Sequence, residues 1–291
     1  MLGVGGFSTA YSATDTTNNA NVALKVMSIN TSRFASCLTE LQLLEVVMPS
    51  AHIITKCDCF IFREHFFIVS DLLGQSVDEH YKQLCDGRLQ FYNAAVLKRL
   101  CIDLLMAIDF MHNVGIIHCD IKPGNICRSG NGFKIIDLGS AITTNDVFNS
   151  YTQSRWYRAP EVILGVLYDS KVDVWSAGVS IVEVVIGSPP FREQTVEAVL
   201  AAQISTCGAM PVWMIEYNPF FSKRFFTDTH AVYHVNTQDV VIFTHESSMT
   251  TDQLVRSAVD SSYGDIDALA SFCEDLLALD PNGRLHAKEA L

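Results

Sequence analysis

The chain has 291 residues, enough for one or two domains with a sizeable buried core. Hydrophobic residues make up 49% and charged residues 18%, which excludes a disordered polymer. The formal net charge of −12 argues against a non-specific grip on nucleic acid, which needs clustered Lys and Arg, and suits a basic protein partner instead.

In chain order, residues 2–13 read as a strand, a glycine turn and a second strand; 15–21 is a polar turn and 22–27 a third strand. Residues 36–47 carry Leu38, Leu41 and Leu44 at helical spacing and predict an amphipathic helix. Runs 53–62 and 65–69 follow as strands, so residues 1–70 predict a small β-rich lobe and 71–74 a connector. From Tyr92 the period changes. Residues 92–112 predict a long amphipathic helix, with Ala95, Val96, Leu100, Leu104 and Ile108 on one side and Gly115 ending it. Short strands and loops lead to Asp137, and a long loop to Glu161. The apolar stretch 172–186 contains Asp173, Trp175 and Glu183; it reads as a buried core helix and is short of the about 20 apolar residues a membrane span takes. Helices around an irregular insert at 218–250 complete a larger lobe, 75–291, and the expected fold class is α+β.

Nine cysteines without framework spacing predict free thiols in a reducing compartment, and the N-terminus has no charged-then-apolar leader. His52, Cys57, Cys59 and His65 lie close enough in sequence to consider zinc. However, residues 57–62 alternate like a strand and lack a CxxC-type pair, so the strand reading is preferred.

Several segments hold polar residues that such a frame leaves for chemistry. Gly3-Val4-Gly5-Gly6-Phe7-Ser8-Thr9-Ala10 is a glycine-rich turn, which lets backbone N–H groups approach an anion, though glycine clusters also make plain hairpins. Val22-Ala23-Leu24-Lys25 ends an apolar strand on a lysine that is otherwise a solvated head on a snorkelling stem. Glu40 and Glu45 lie on the next helix. Then come His118-Cys119-Asp120-Ile121-Lys122-Pro123-Gly124-Asn125 and Phe133-Lys134-Ile135-Ile136-Asp137-Leu138-Gly139. Ala159-Pro160-Glu161, Asp173-Val174-Trp175 and Leu279-Asp280-Pro281-Asn282-Gly283-Arg284 follow.

In this order, over nearly the whole chain, these segments resemble the signature set of protein kinase catalytic domains. The resemblance implies a bilobal protein kinase fold and transfer of the γ-phosphoryl group of ATP, with Mg²⁺, to serine or threonine hydroxyls of protein substrates. It implies that Gly3, Val4, Gly5, Gly6, Phe7, Ser8, Ala10 and Ala23 surround the nucleotide. Lys25 would hold the α- and β-phosphates and pair with Glu40 rather than Glu45. Asp120 would orient the substrate hydroxyl, Lys122 would neutralise the γ-phosphate, and Asn125 and Asp137 would hold Mg²⁺. Asp71 and Leu73 would offer hinge backbone to adenine, with Ser70 as gatekeeper. Glu161, Asp173 and Arg284 would be structural, Arg284 pairing with Glu161. The chain departs from the family pattern at Ser8 (third glycine), Ala10 (usual valine), Leu138 (usual phenylalanine) and Cys119, which removes the arginine that reads a phosphorylated activation loop.

Ser154-Arg155-Trp156-Tyr157-Arg158-Ala159-Pro160-Glu161 resembles the CMGC group. His118-Cys119-Asp120-Ile121-Lys122-Pro123 and Gly139-Ser140-Ala141 resemble its dual-specificity tyrosine-regulated branch, as does a lone tyrosine before Gln153-Ser154-Arg155. Within that branch, Gly208-Ala209-Met210-Pro211-Val212-Trp213-Met214-Ile215, residues 220–226 and the Phe7-Ser8 pair are similar to the Prp-four-type pre-mRNA-processing kinase. This likeness implies autophosphorylation at Tyr151, its phosphate held by Arg155 and Arg158. It also implies Arg/Ser-rich splicing proteins as substrates and a monomer of the nucleus or cytoplasm, with no direct nucleic-acid or membrane contact. Two alternatives stand beside it. An SR-protein or CDC-like kinase is favoured by Asp137-Leu138-Gly139 and disfavoured by Arg155-Trp156-Tyr157-Arg158. An ATP-binding pseudokinase scaffold is kept open by the glycine turn beginning at residue 3, which leaves most of the first strand missing, and by the chain ending at Leu291 before the expected last helix finishes.

Overall fold

The structure, a computed structural model, describes residues 1–4, 8–30, 34–48, 50–84, 93–144, 152–228, 230, 232, 249–259 and 264–291. The N-terminal part is an antiparallel sheet built from β1 (Gly3–Val4), β2 (Thr9–Asp15), β3 (Ala20–Ser28), β4 (Lys56–Phe62) and β5 (His65–Asp71), with helix α1 (Phe34–Val47) packed on it. The strand order is β1-β2-β3-β5-β4. The expected short first strand is two residues long, pairing Gly3 with Ala10 and Val4 with Thr9.

Two expectations for this lobe change. The helical stripe Leu38, Leu41, Leu44 is split: Leu44 is buried, Leu41 half-buried and Leu38 exposed. Cys37, Glu40, Leu43, Leu44 and Val47 face inward, while Leu38 and Val46 are exposed. Ser36, Thr39, Glu40, Gln42 and Glu45 are spread among its apolar residues, so hydrophobicity alone does not say which face turns in. Run 53–62 also divides. Ile135 N–H donates to His52 O and Ile54 N–H to Ile135 O, both at 2.9 Å, so this stretch pairs with the other lobe before β4 begins at Lys56.

The C-terminal part carries α2 (Val77–Leu84), α3 (Ala94–Asn113), β6 (Ile116–Ile117), β7 (Ile126–Ser129), β8 (Gly132–Ile135) and β9 (Ile142–Thr143). Helices α4 (Pro160–Leu164), α5 (Lys171–Ile186), α6 (Val196–Cys207), α7 (Val212–Tyr217), α8 (Pro219–Ser222), α9 (Thr251–Ala258) and α10 (Ile266–Leu276) follow. Asn93 caps α3, its side chain accepting from Val96 N–H at 3.0 Å. Gly115, at φ 76°, turns the chain away two residues after the last helical residue. Around α5, buried from Lys171 to Val185, the C-lobe core assembles. Gly178 is the contact point with α10: a Cβ there would lie 2.8 Å from Leu276 Cβ. A mid-helix glycine costs about 1 kcal/mol against alanine, and this close approach explains its presence. Among the described residues no helix is long and apolar enough to cross a membrane. The chain is therefore α+β, with a β-rich lobe over a helical one.

Candidate active site

The cleft between the lobes gathers charge from both sides. From β3, the Lys25 ammonium donates to Glu40 Oε1 at 2.6 Å and to Asp137 Oδ1 at 2.7 Å. Glu40 lies on the inward face of α1, whereas Glu45 is exposed and meets Lys56 at 3.0 Å. Burial alone would lower the Lys25 pKa, but the Glu40 and Asp137 carboxylates outweigh it and raise it above its ordinary value. For Glu40, burial outweighs the attraction of Lys25 and pushes the carboxyl above the usual glutamate range. Burial also works against ionised Asp137; there Lys25 wins and holds the carboxyl below its ordinary value.

Opposite lies the loop between β6 and β7. Its fold is set from beneath by Asp173 at the start of α5, which accepts from the backbone N–H of His118 at 2.7 Å and of Cys119 at 2.9 Å. Cys119 is buried and left-handed at φ 61°. The His118 Nδ1 accepts from Asp120 N–H at 3.1 Å, which leaves Nε2 to donate to Ile136 O, also at 3.1 Å. His118 is thus a strut joining this loop to the segment before Asp137.

Asp120 is the hub of the loop. Its Oδ2 accepts from Lys122 Nζ at 2.7 Å and Asn125 Nδ2 at 3.0 Å; its Oδ1 accepts from Ser154 Oγ at 2.7 Å. Lys122 Nζ also donates to Ser154 Oγ at 3.0 Å. Ser154 was singled out in the sequence only as part of a group signature. Its place one residue before Arg155 carries no chemical signal, and only the fold brings it to Asp120.

Asp137 is left-handed, at φ 65°, with Gly139 N–H donating to its Oδ1 at 3.3 Å. A non-glycine residue in this region costs roughly 1–2 kcal/mol, and such residues concentrate at functional sites. A divalent cation such as Mg²⁺ needs hard oxygen ligands. With Lys25 on Asp137 Oδ1 and the Asn125 Nδ2 spent on Asp120, the second Asp137 oxygen and the Asn125 amide oxygen remain for one, so the donor set fits.

At the back of the cleft, Ser70 is buried in β5 opposite Ala23. Asp71 closes that strand, and Leu73 lies two residues further on. Gly3 and Val4 are exposed, Ser8 is half-buried, and Ala10 pairs opposite Lys25. Gly5, Gly6, Phe7 and Tyr151 lie outside the described residues. Both arginines expected to hold a Tyr151 phosphate meet backbone carbonyls. Arg155 Nη1 donates to Gln194 O at 2.7 Å, and buried Arg158 donates to Thr152 O and Gln153 O at 2.7 and 2.8 Å. His52 and His65, weighed above as zinc ligands, face Asp103 Oδ1 at 3.2 Å and the Arg63 carbonyl at 2.8 Å.

A family model described as "Protein kinase domain" matches residues 1–291. The chain belongs to the protein kinase domain family. Its curated relatives include the probable serine/threonine-protein kinase dyrk2 of Dictyostelium discoideum, 31% identical over the whole chain and 32% of that protein. Dual specificity tyrosine-phosphorylation-regulated kinase 4 of Homo sapiens is 33% identical over 74% of the chain and 42% of its own length. Dual specificity protein kinase YAK1 of Saccharomyces cerevisiae is 30% identical over 74% of the chain and 28% of its own length. The chain thus spans less than half the length of these relatives. A solved structure, the PF14_0431 kinase domain, superposes with a TM-score of 0.87 over 100% of this chain and 92% of that one; at 22% identity the likeness is one of fold.

Proposed function

We propose that this chain is a catalytically competent kinase domain that uses ATP and Mg²⁺ to phosphorylate serine and threonine hydroxyls of protein substrates. The observation that carries the reading is the triad Lys25–Glu40–Asp137, closed at 2.6 and 2.7 Å across the two lobes. A pseudokinase scaffold has no need to hold a lysine between two carboxylates in the cleft.

In this reading Asp137 and Asn125 hold the metal. When bound there, Mg²⁺ would supply positive charge that offsets the charge of the phosphates. Lys25 supplies positive charge to the phosphates nearer the nucleoside, and Glu40 fixes where that charge sits. Asp120 accepts a hydrogen bond from the substrate hydroxyl and orients it. Lys122, already in contact with Asp120, neutralises charge on the group in transfer. The backbone of Asp71 and Leu73 receives the adenine. The relatives' names support dual specificity, with Tyr151 as the residue the domain phosphorylates on itself. The segment 208–215 supports a splicing-kinase-like member acting on Arg/Ser-rich proteins in the nucleus.

The test is transfer from radiolabelled ATP to a basic protein and to an arginine/serine peptide, with Asp137→Asn as control. Transfer by the parent and none by the variant is expected. A parent that shifts its melting temperature with ATP but transfers nothing would establish the scaffold instead.

A further inference from the structure

The segment expected to receive adenine is held at both of its ends. At the lower end, Gly74 N–H donates to Arg128 O at 2.8 Å and Arg128 N–H to Gln75 O at 3.0 Å, tying it to β7. At the upper end the tie is made by a side chain. Asp71 Oδ2 accepts from Lys134 Nζ at 2.7 Å, and Asp71 Oδ1 accepts from Thr55 N–H at 2.8 Å. Lys134 Nζ also donates to Thr55 Oγ1 at 3.1 Å, and Asp71 N–H to Thr55 O at 3.1 Å. Thus β8, the end of β5 and the residue before β4 share one knot, and Leu72 and Leu73 bridge the gap between knot and β7.

Lys134 sits on β8, three residues before Asp137 (137 minus 134). The strand on either side of Lys134 is fixed: Phe133 and Ile135 are buried, Phe133 N–H donates to Asp103 Oδ2 at 2.9 Å, and Ile135 bonds His52 and Ile54. One short strand therefore reaches the hinge with one residue and leads to the candidate metal ligand with another. The Lys134–Asp71 pair is largely screened from water, with side-chain exposures of 14% and 31%. A charged bond in such a place is stronger and more directional than one at the open surface.

We infer that Lys134 is a positioning residue for the nucleotide: through Asp71 it sets the adenine-receiving backbone at a fixed offset from Asp137, so that adenine and phosphates are gripped in register. The inference rests on the ATP-site reading above. Lys134 does not touch the nucleotide, and its effect passes through Asp71. Losing it lets the span 72–73 drift, which weakens adenine binding while Asp120, Lys122 and Asp137 keep their places.

The test uses the full chain, with Mg-ATP titration calorimetry beside steady-state kinetics, on the parent and on Lys134→Met, Lys134→Arg, Asp71→Asn and Lys134→Met/Asp71→Asn. Lys134→Met is expected to raise both the Kd and the KM for ATP about tenfold, with kcat changed less than twofold. Lys134→Arg should recover most of the loss, and the double variant should be no weaker than the worse single one, because the two groups act as one unit. Should Lys134→Met fail to fold, Asp71→Asn, nearly isosteric, carries the same expected rise in Kd. A lowered melting temperature with ATP affinity within twofold of the parent overturns the inference and leaves Lys134 as fold support alone. A parent that binds no ATP overturns the nucleotide-site reading and this inference with it, whereas a parent that binds alongside an equally tight Lys134→Met overturns only the latter.

Discussion

Arg284 and Glu161, 123 residues apart in sequence, form a two-pronged ion pair inside the C-lobe: Nη1 to Oε1 at 2.6 Å and Nη2 to Oε2 at 3.0 Å, with both side chains out of contact with water. The guanidinium lies 5.0 Å from the centre of the Trp175 ring, and its remaining donors reach Ala278 O and Lys171 O. The turn leading to Arg284 is thereby fastened to α4 through Glu161 and to the start of α5 through Lys171.

Removing one partner strands the other charge where water cannot reach it. Arg284→Ala is expected to lower unfolding free energy by roughly 3–5 kcal/mol, read as a shift in the urea midpoint. Arg284→Lys should restore little, because an ammonium cannot make the two-pronged contact. A loss under about 1 kcal/mol, typical of surface pairs, would contradict the assignment.

Glu40 gives a pH prediction with opposite signs for stability and turnover. Burial raises its native pKa above the ordinary 4.5. Its contribution to stability is therefore complete below that value and is lost as pH rises through the native pKa. The ion pair with Lys25 forms over this same interval, so kcat should rise with pH as the Glu40 contribution to stability falls. Glu40→Gln should abolish that limb of the kcat profile and lower kcat by about 10²–10³. A profile unchanged in the variant would refute the link.

Ser154 holds both Asp120 and Lys122. Ser154→Ala frees two groups that must point at one hydroxyl, and a displacement near 1 Å costs up to about 10² in rate. A kcat about 10–100-fold lower, with the ATP KM little changed, is expected. Ser154→Thr, which keeps the hydroxyl, should regain most of it. Equal loss in both would show that the hydroxyl is not what matters.

Ser70 is buried in β5 opposite Ala23 and puts a small side chain at the proposed gatekeeper position. Bulky adenine analogues should inhibit the parent at least about tenfold better than Ser70→Phe, the equivalent of about 1.4 kcal/mol. Competitive inhibition measured on both proteins decides it, and equal inhibition would show that no such pocket opens.

The parts of the site that were legible in the sequence are those carried on short contiguous stretches. Asp120, Lys122 and Asn125 lie within six residues, and Asp137 follows an apolar strand, so the family resemblance could pick them out. Contacts that span the chain were not legible from local pattern; the Arg284–Glu161 pair was expected only through the family resemblance. Lys25 and Asp137 are separated by 112 residues and Lys134 and Asp71 by 63, and no periodicity links such pairs. Ser154 is a hydroxyl among many until the fold turns it toward Asp120. The same limit blurred α1. Its polar residues are scattered among apolar ones, which hid the buried face, and the inward Glu40 meets Lys25 there. Run 53–62 looked like one strand because alternation records side-chain facing and does not say which strand is the partner.

Strand β8 has a consequence for how relatives of this chain can diverge. A strand advances about 3.3 Å per residue and reverses its faces at each step. Inserting a single residue between Lys134 and Asp137 would swing the lysine to the wrong side of the sheet or push the carboxylate out of reach of Lys25. Side chains there can be exchanged, but the count of residues cannot. Length variation should accumulate elsewhere, as in the stretch between α8 and α9, and a deep-insertion library would find these four positions nearly silent while that stretch absorbs added residues.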